Sequence, residues 1–199
     1  MRVSRNYTVD DWKVLKFQRQ YDWVQTVEIF RDRLETRYLE HIRALLERKT
    51  NGFVVLALDS ALIETLEQFR RGTKKTPWAQ GKKYFVSFLT ETAFGEFFNQ
   101  GKAELFYTEI RCGLLHQTEA DGNSRIKRGK TLPLVSTTAD GKRIIVNTHE
   151  FHSKLEDVIK HYTEDLVAGK NQNQREAFRK KMSFICRIEE KELPADISV

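Results

Sequence analysis

From Trp23 to Leu46 an apolar or aromatic side chain returns every third or fourth residue, through Val27, Phe30, Leu34, Tyr38, Leu39, Ile42, Leu45 and Leu46. Glu28, Arg31, Asp32, Arg33, Glu35, Arg37 and Glu40 fill the opposite side. Over so long a run that period fits an amphipathic helix, whose apolar stripe must be buried against other elements. Thr8 ahead of Asp10 and Asp11 marks an earlier helical start, with acids at the positive end of the dipole. A break is expected near Arg19-Gln20, and Asn51-Gly52 ends the long helix.

The same logic covers most of the chain. Phe53 to Arg70 is apolar on most faces and belongs at the centre of a bundle. Asp59 and Ser60 interrupt it, and a polar pair so placed is expected to hydrogen-bond within the core. Tyr84 to Gln100 reads as a third helix that Gly101 stops, and Lys102 to Thr118 as a fourth. Helices from Thr148 to Val167 and from Arg175 to Arg187 close the chain, before an acidic, frayed tail from Glu189. Leu132 to Thr137 and Arg143 to Val146 flank Asp140-Gly141, a strong hairpin signal. The expected fold is therefore all-α: a bundle of about five to six helices with a small β-hairpin insertion at about 124–147. A chain of 199 residues suits one domain over 1–199, with C-terminal helices at about 148–189.

Composition narrows the function classes. No apolar run approaches ~18–20 residues, and Met1 to Asn6 lack a signal-peptide stretch, so a cytoplasmic protein without membrane contact is expected. Two cysteines, Cys112 and Cys186, fit a reducing compartment and offer no disulfide framework. His149, His152, Glu150 and His161 form no recognisable metal pattern, and the glycines are scattered singly, so neither metal nor cofactor is expected. A net charge of +6 favours a polyanionic partner.

That charge is concentrated. Arg70 to Lys83 carries six basic residues and no acid, around Pro77 and two glycines that exclude regular structure. Lys74, Lys75, Lys82 and Lys83 suit phosphates, and an exposed Trp78 suits a stacking base. The other reading is a solvated linker whose Trp78 tucks onto the bundle. Arg125, Lys127, Arg128 and Lys130 supply four more cations, after a turn at Ala120 to Ser124, as a second RNA contact or as a plain surface turn.

One stretch carries chemistry: Phe106-Tyr107-Thr108-Glu109-Ile110-Arg111-Cys112-Gly113-Leu114-Leu115-His116-Gln117-Thr118-Glu119. Five residues advance an ideal helix by roughly 500°, leaving Arg111 and His116 about 140° apart, whereas Cys112 and His116 share a face. Arg111 reaches His116 through its own length, through an irregularity near Gly113, or across two copies of the helix in a dimer. An imidazole serves as acid or base near neutral pH, and a guanidinium fork holds phosphorane charge. Otherwise Arg111 pairs with Glu109 or Glu119 while His116 caps the helix end. In a third reading Cys112 is a nucleophile with His116 as its base, against its ordinary role as a small hydrophobe.

The wording Arg111-Cys112-Gly113-Leu114-Leu115-His116-Gln117, late in a helical chain, resembles the R-x4-H signature of the HEPN superfamily (higher eukaryotes and prokaryotes nucleotide-binding domains). It is similar to one bacterial, often plasmid-borne branch. Over about 20–190, the resemblance implies a metal-independent endoribonuclease of a toxin–antitoxin or antiphage system, with active sites at a homodimer interface. Arg111 and His116 match the catalytic pair, and Glu109, Cys112 and Glu119 are candidates for site support. The implied partners are RNA, single-stranded or tRNA-like, a second copy of the chain and an antitoxin. Cys112 stands where many active members carry Asn, Asp or His. Thr118 stands where a branch modified by an AMP-transferring antitoxin has Tyr. The alternative expectation is a HEPN-like RNA- or partner-binding module without catalysis.

Overall fold

The computed structural model describes residues 1–116, 120, 124–129 and 131–188. It is predominantly helical with a small three-stranded sheet. Helix α1 spans Val9–Lys13, and α2 (Gln20–Leu34) runs through a π turn at Glu35–Leu39 into α3 (Glu40–Leu46). Then come α4 (Gly52–Arg71), α5 (Gly81–Glu91) and α6 (Gln100–Leu105), which continues through a second π turn at Phe106–Arg111 into α7 (Cys112–His116). Strands β1 (Arg125–Lys127), β2 (Val135–Thr137) and β3 (Ile144–Asn147) precede α8 (Thr148–Ala168) and α9 (Gln172–Cys186). The expected early break is real: Thr8 caps α1 in a reciprocal box with Asp11, and the chain turns at Phe17, φ +57°, before α2.

The chain divides into two compact units. The first comprises Met1–Glu40, Gln68–Lys75 and the described residues from Tyr162 onward. Its core is a cluster of rings: Phe30 lies 4.6 Å from Phe69 and 5.1 Å from Phe178 between centroids, and Phe69 lies 5.4 Å from Phe178. Such pairs add about 0.5–1.5 kcal/mol each beyond the area they bury. Gly72 ends α4 at φ +65°, and a Cβ there would sit 2.7 Å from the Ala177 Cα. Only glycine lets the chain leave α4 so close to the α9 backbone.

The second unit comprises His41–Glu67 and the described residues from Thr76 to His161. Phe106, fully buried, stacks on Phe151 at 4.9 Å and meets Phe85 and Phe98 at 5.5 and 5.8 Å. Asp59 is buried as expected, with its Oδ1 2.8 Å from the Nδ1 of His152. Burial pushes the Asp59 carboxyl above its usual range.

Three sequence expectations are corrected in this unit. The hairpin is present, β2 pairing antiparallel with β3 around Gly141 at φ +69°, but β1 joins the other edge of β3 in parallel, making a three-stranded sheet. An alternation of only three residues, Arg125-Ile126-Lys127, is too short to stand out in the sequence, which hides β1. Helix α5 starts at Gly81, so Lys82 and Lys83 occupy its first turn and not a loop. The helix expected through Gln100 stops at Glu91, because the Thr92 hydroxyl accepts from the Phe94 N–H and a tight turn packs Gly95 onto the Thr90 carbonyl. Asn99 then caps α6 by accepting from Lys102 N–H at 3.0 Å, and Gly101 lies inside the new helix. No helix among the described residues is long and apolar enough to cross a membrane.

Candidate functional site

The motif helix runs from Gln100 to His116 without a break, yet it is not regular. Its π turn at Phe106–Arg111 accommodates an extra residue, a device that recurs at functional sites. Phe106, Ile110, Gly113 and Leu114 stay buried across the change, while Arg111 and Cys112 are half-buried and Leu115 and His116 are exposed. The irregularity thus spans Phe106–Arg111 and ends two residues ahead of Gly113, near which the sequence placed it. From Cys112 to His116 the helix is ordinary α, so the expected angular gap between Arg111 and His116 persists. No hydrogen bond, ion pair or ring contact joins the two, and His116 has no hydrogen-bond partner among the described residues.

Arg111 is instead held within its own unit. Its Nη2 donates to Glu64 Oε1 of α4 at 2.6 Å, with side-chain exposures of 17% and 22%. Its Cζ lies 5.3 Å from the centre of the Tyr107 ring, one turn earlier. Burial works against its charge, but Glu64, Tyr107 and a contact with the Cys112 side chain outweigh it and hold the guanidinium above its usual range. The Nε of Arg111 is buried without a hydrogen-bond partner among the described residues. Burial, chiefly, also raises the Tyr107 phenol, so it is a neutral hydroxyl at physiological pH. That hydroxyl fits against Gly81, where an added Cβ would approach it to 3.0 Å.

The other motif residues have separate tasks. Glu109 does not pair with Arg111: it accepts from Arg143 Nη1 at 2.9 Å and from the Ser124 hydroxyl, which in turn accepts from the Ile144 N–H at 3.0 Å. Glu109 therefore ties the motif helix to the sheet. Cys112 faces Tyr107 and Arg111. Glu119, Gln117 and Thr118 lie outside the described residues, as do Asp121 to Asn123, Lys130 and the tail from Glu189.

Among the candidate RNA contacts, Trp78 is 96% exposed, which excludes a tryptophan tucked onto the bundle. Lys83, Arg125, Lys127 and Arg128 are exposed in the same unit, and Lys82 pairs with Glu104 at 3.1 Å. Lys74 and Lys75 are exposed in the other unit. Among the described residues no three His, Cys, Asp or Glu side chains could hold a metal ion together. His152 is committed to Asp59, and His161 Nδ1 lies 2.8 Å from the Asp157 carbonyl oxygen.

Sequence reasoning missed Glu64, Tyr107 and Arg143. Glu64 had one signal, an acid within a largely apolar helix, where a cation would compensate it. Its partner 47 residues away follows from no spacing rule. The comparisons with known proteins add no relative: no family model, curated protein or solved structure matches this chain.

Proposed function

We propose that this protein is a metal-independent endoribonuclease of a bacterial defence or toxin–antitoxin system, acting in the cytoplasm as a homodimer. The observation that carries the reading is Arg111, fixed by Glu64 and Tyr107 and still partly open to solvent, on a helix that ends in an exposed His116. Glu64 engages one N–H of the guanidinium fork and fixes its orientation before any phosphate arrives. His116 takes the proton from the ribose 2′-hydroxyl, whose oxygen attacks the adjacent phosphorus. The His116 of a second copy protonates the departing 5′-oxygen, leaving a 2′,3′-cyclic phosphate and a 5′-hydroxyl. Two copies answer both the shortage of acid–base groups and the separation of Arg111 from His116 along one helix.

The test is cleavage of end-labelled single-stranded RNA in EDTA. Wild type and Cys112→Ser should cut, leaving those two termini, while His116→Ala should lose at least about 100-fold in rate. Cleavage that needs an added divalent ion, or that survives in His116→Ala, rules the mechanism out. Trp78 with its exposed cations belongs to the RNA path. Trp78→Ala should weaken oligoribonucleotide binding about tenfold, the contribution of one stacked base, and leave the thermal midpoint unchanged. An unchanged dissociation constant removes Trp78 from the path.

A specific observation favours a second reading, a HEPN-like module that binds RNA or a partner without cutting. Glu64 already neutralises Arg111, and no described group orients His116. RNA binding without cleavage in the same assay selects it.

A further inference from the structure

Most buried charge in this protein is compensated: Asp59 has His152, Arg111 has Glu64, and Glu109 has Arg143. Lys181 of α9, only 6% exposed, breaks that pattern. Its Nζ donates to two neutral oxygens, Gln68 Oε1 at 2.5 Å and the Lys74 carbonyl at 2.7 Å, and lies 5.3 Å from the Phe184 ring centre. The charged groups that act on it are Arg33 and Lys75, both cations. Arg33 in turn is repelled by Arg37, and both guanidiniums donate to the same neutral acceptor, the Val3 carbonyl, at 2.5 and 3.0 Å. Among the described residues no carboxylate forms an ion pair with Arg33, Arg37, Lys75 or Lys181. Thr73, next to Lys74, buries a hydroxyl that has no hydrogen-bond partner among the described residues.

Gathering like charges around neutral carbonyls is unfavourable unless a counter-charge is supplied, and among the described residues none is. Exposure is also graded across the set: Lys75 and Arg37 are exposed, Arg33 is half-buried, and Lys181 is buried. We propose that Arg33, Arg37, Lys75 and Lys181 form a receptor for a phosphate group, with the Thr73 hydroxyl as a further donor. A phosphate presents the several acceptor oxygens and the two negative charges that these donors lack. All five residues belong to the first unit, whereas Arg111 and His116 belong to the second, so the receptor stands whether or not the protein cuts RNA. Burial, with the repulsion of Arg33 and Lys75, lowers the free Lys181 ammonium to about 8. A bound phosphate returns it toward its ordinary value.

The test compares thermal unfolding in sodium phosphate and in sodium chloride at equal ionic strength and pH 7, with the full chain. Phosphate should raise the midpoint saturably in wild type. Lys181→Met should abolish the rise, and the exposed Lys75→Gln, which disturbs no packing, should weaken the apparent affinity at least threefold. Carbon-labelled lysine spectra should show the Lys181 titration near pH 8 moving upward when phosphate is added. An oligoribonucleotide with a 5′-phosphate, set against the same sequence ending in 5′-hydroxyl, identifies the source. Displacement of phosphate by the phosphorylated form alone assigns the receptor to an RNA end, and displacement by neither assigns it to a small free phosphate. Equal midpoints in the two salts, or a phosphate effect unchanged in both Lys75→Gln and Lys181→Met, overturns the proposal.

Discussion

Replacing Arg111 with alanine should lower RNA cleavage by about 10²–10³-fold, the usual loss when a preorganised group facing transition-state charge is removed. The substitution also leaves Glu64 without its cation in a site only 22% exposed, so stability should fall by roughly 1–2 kcal/mol. The two effects must be separated before the loss is read as chemistry. Glu64→Gln keeps an acceptor for Arg111 and removes the carboxylate. Its stability should stay near that of wild type, and its cleavage should fall less than that of Arg111→Ala. The double variant Arg111→Ala with Glu64→Ala should recover much of the lost stability and none of the activity. Thermal midpoints and single-turnover rates across the four proteins decide the matter. If Arg111→Ala unfolds more readily yet cuts at the wild-type rate, Arg111 is a strut between α4 and the motif helix and nothing more.

Truncating Phe106 to alanine should cost about 3–5 kcal/mol, the range for a large ring deleted from a core that cannot collapse into the gap. Phe106 is fully buried against Phe85, Phe98 and Phe151, and it opens the π turn that leads to Arg111. In a chain of this size the loss corresponds to a fall of about 10 °C in thermal midpoint. Phe106→Leu, which keeps most of the volume, should lose well under half as much. Urea unfolding of the two variants measures both values. A loss below 1 kcal/mol for the alanine would mean that the ring cluster is not the core of its unit.

The helical elements were legible because their apolar period extends over many residues, as in α2, α4 and α8. The Asp140-Gly141 turn was legible because its chemistry is local. Contacts made at a distance were not. Glu64 meets Arg111, and Glu109 meets Arg143 and Ser124, through packing that no i,i+4 rule anticipates. Nearness in sequence points to Glu109 and Glu119 as partners of Arg111, whereas Glu109 is committed to the sheet. The π turn is invisible for a related reason. Phe106, Ile110 and Leu114 keep a helical spacing whether the backbone between them is α or π. The end of α5 was missed because Phe94, Phe97 and Phe98 continue the period across Thr92 and Gly95, where the backbone has already turned away.

The contrast in exposure among the three tryptophans gives the chain a built-in optical reporter. Trp12 and Trp23 are shielded at 1% and 3% exposure, so a collisional quencher such as acrylamide addresses Trp78 almost alone. The emission of the unmodified chain therefore separates into a protected blue component and an accessible red one. If a nucleobase docks on the indole as proposed, loss of the second component reports it with no dye attached.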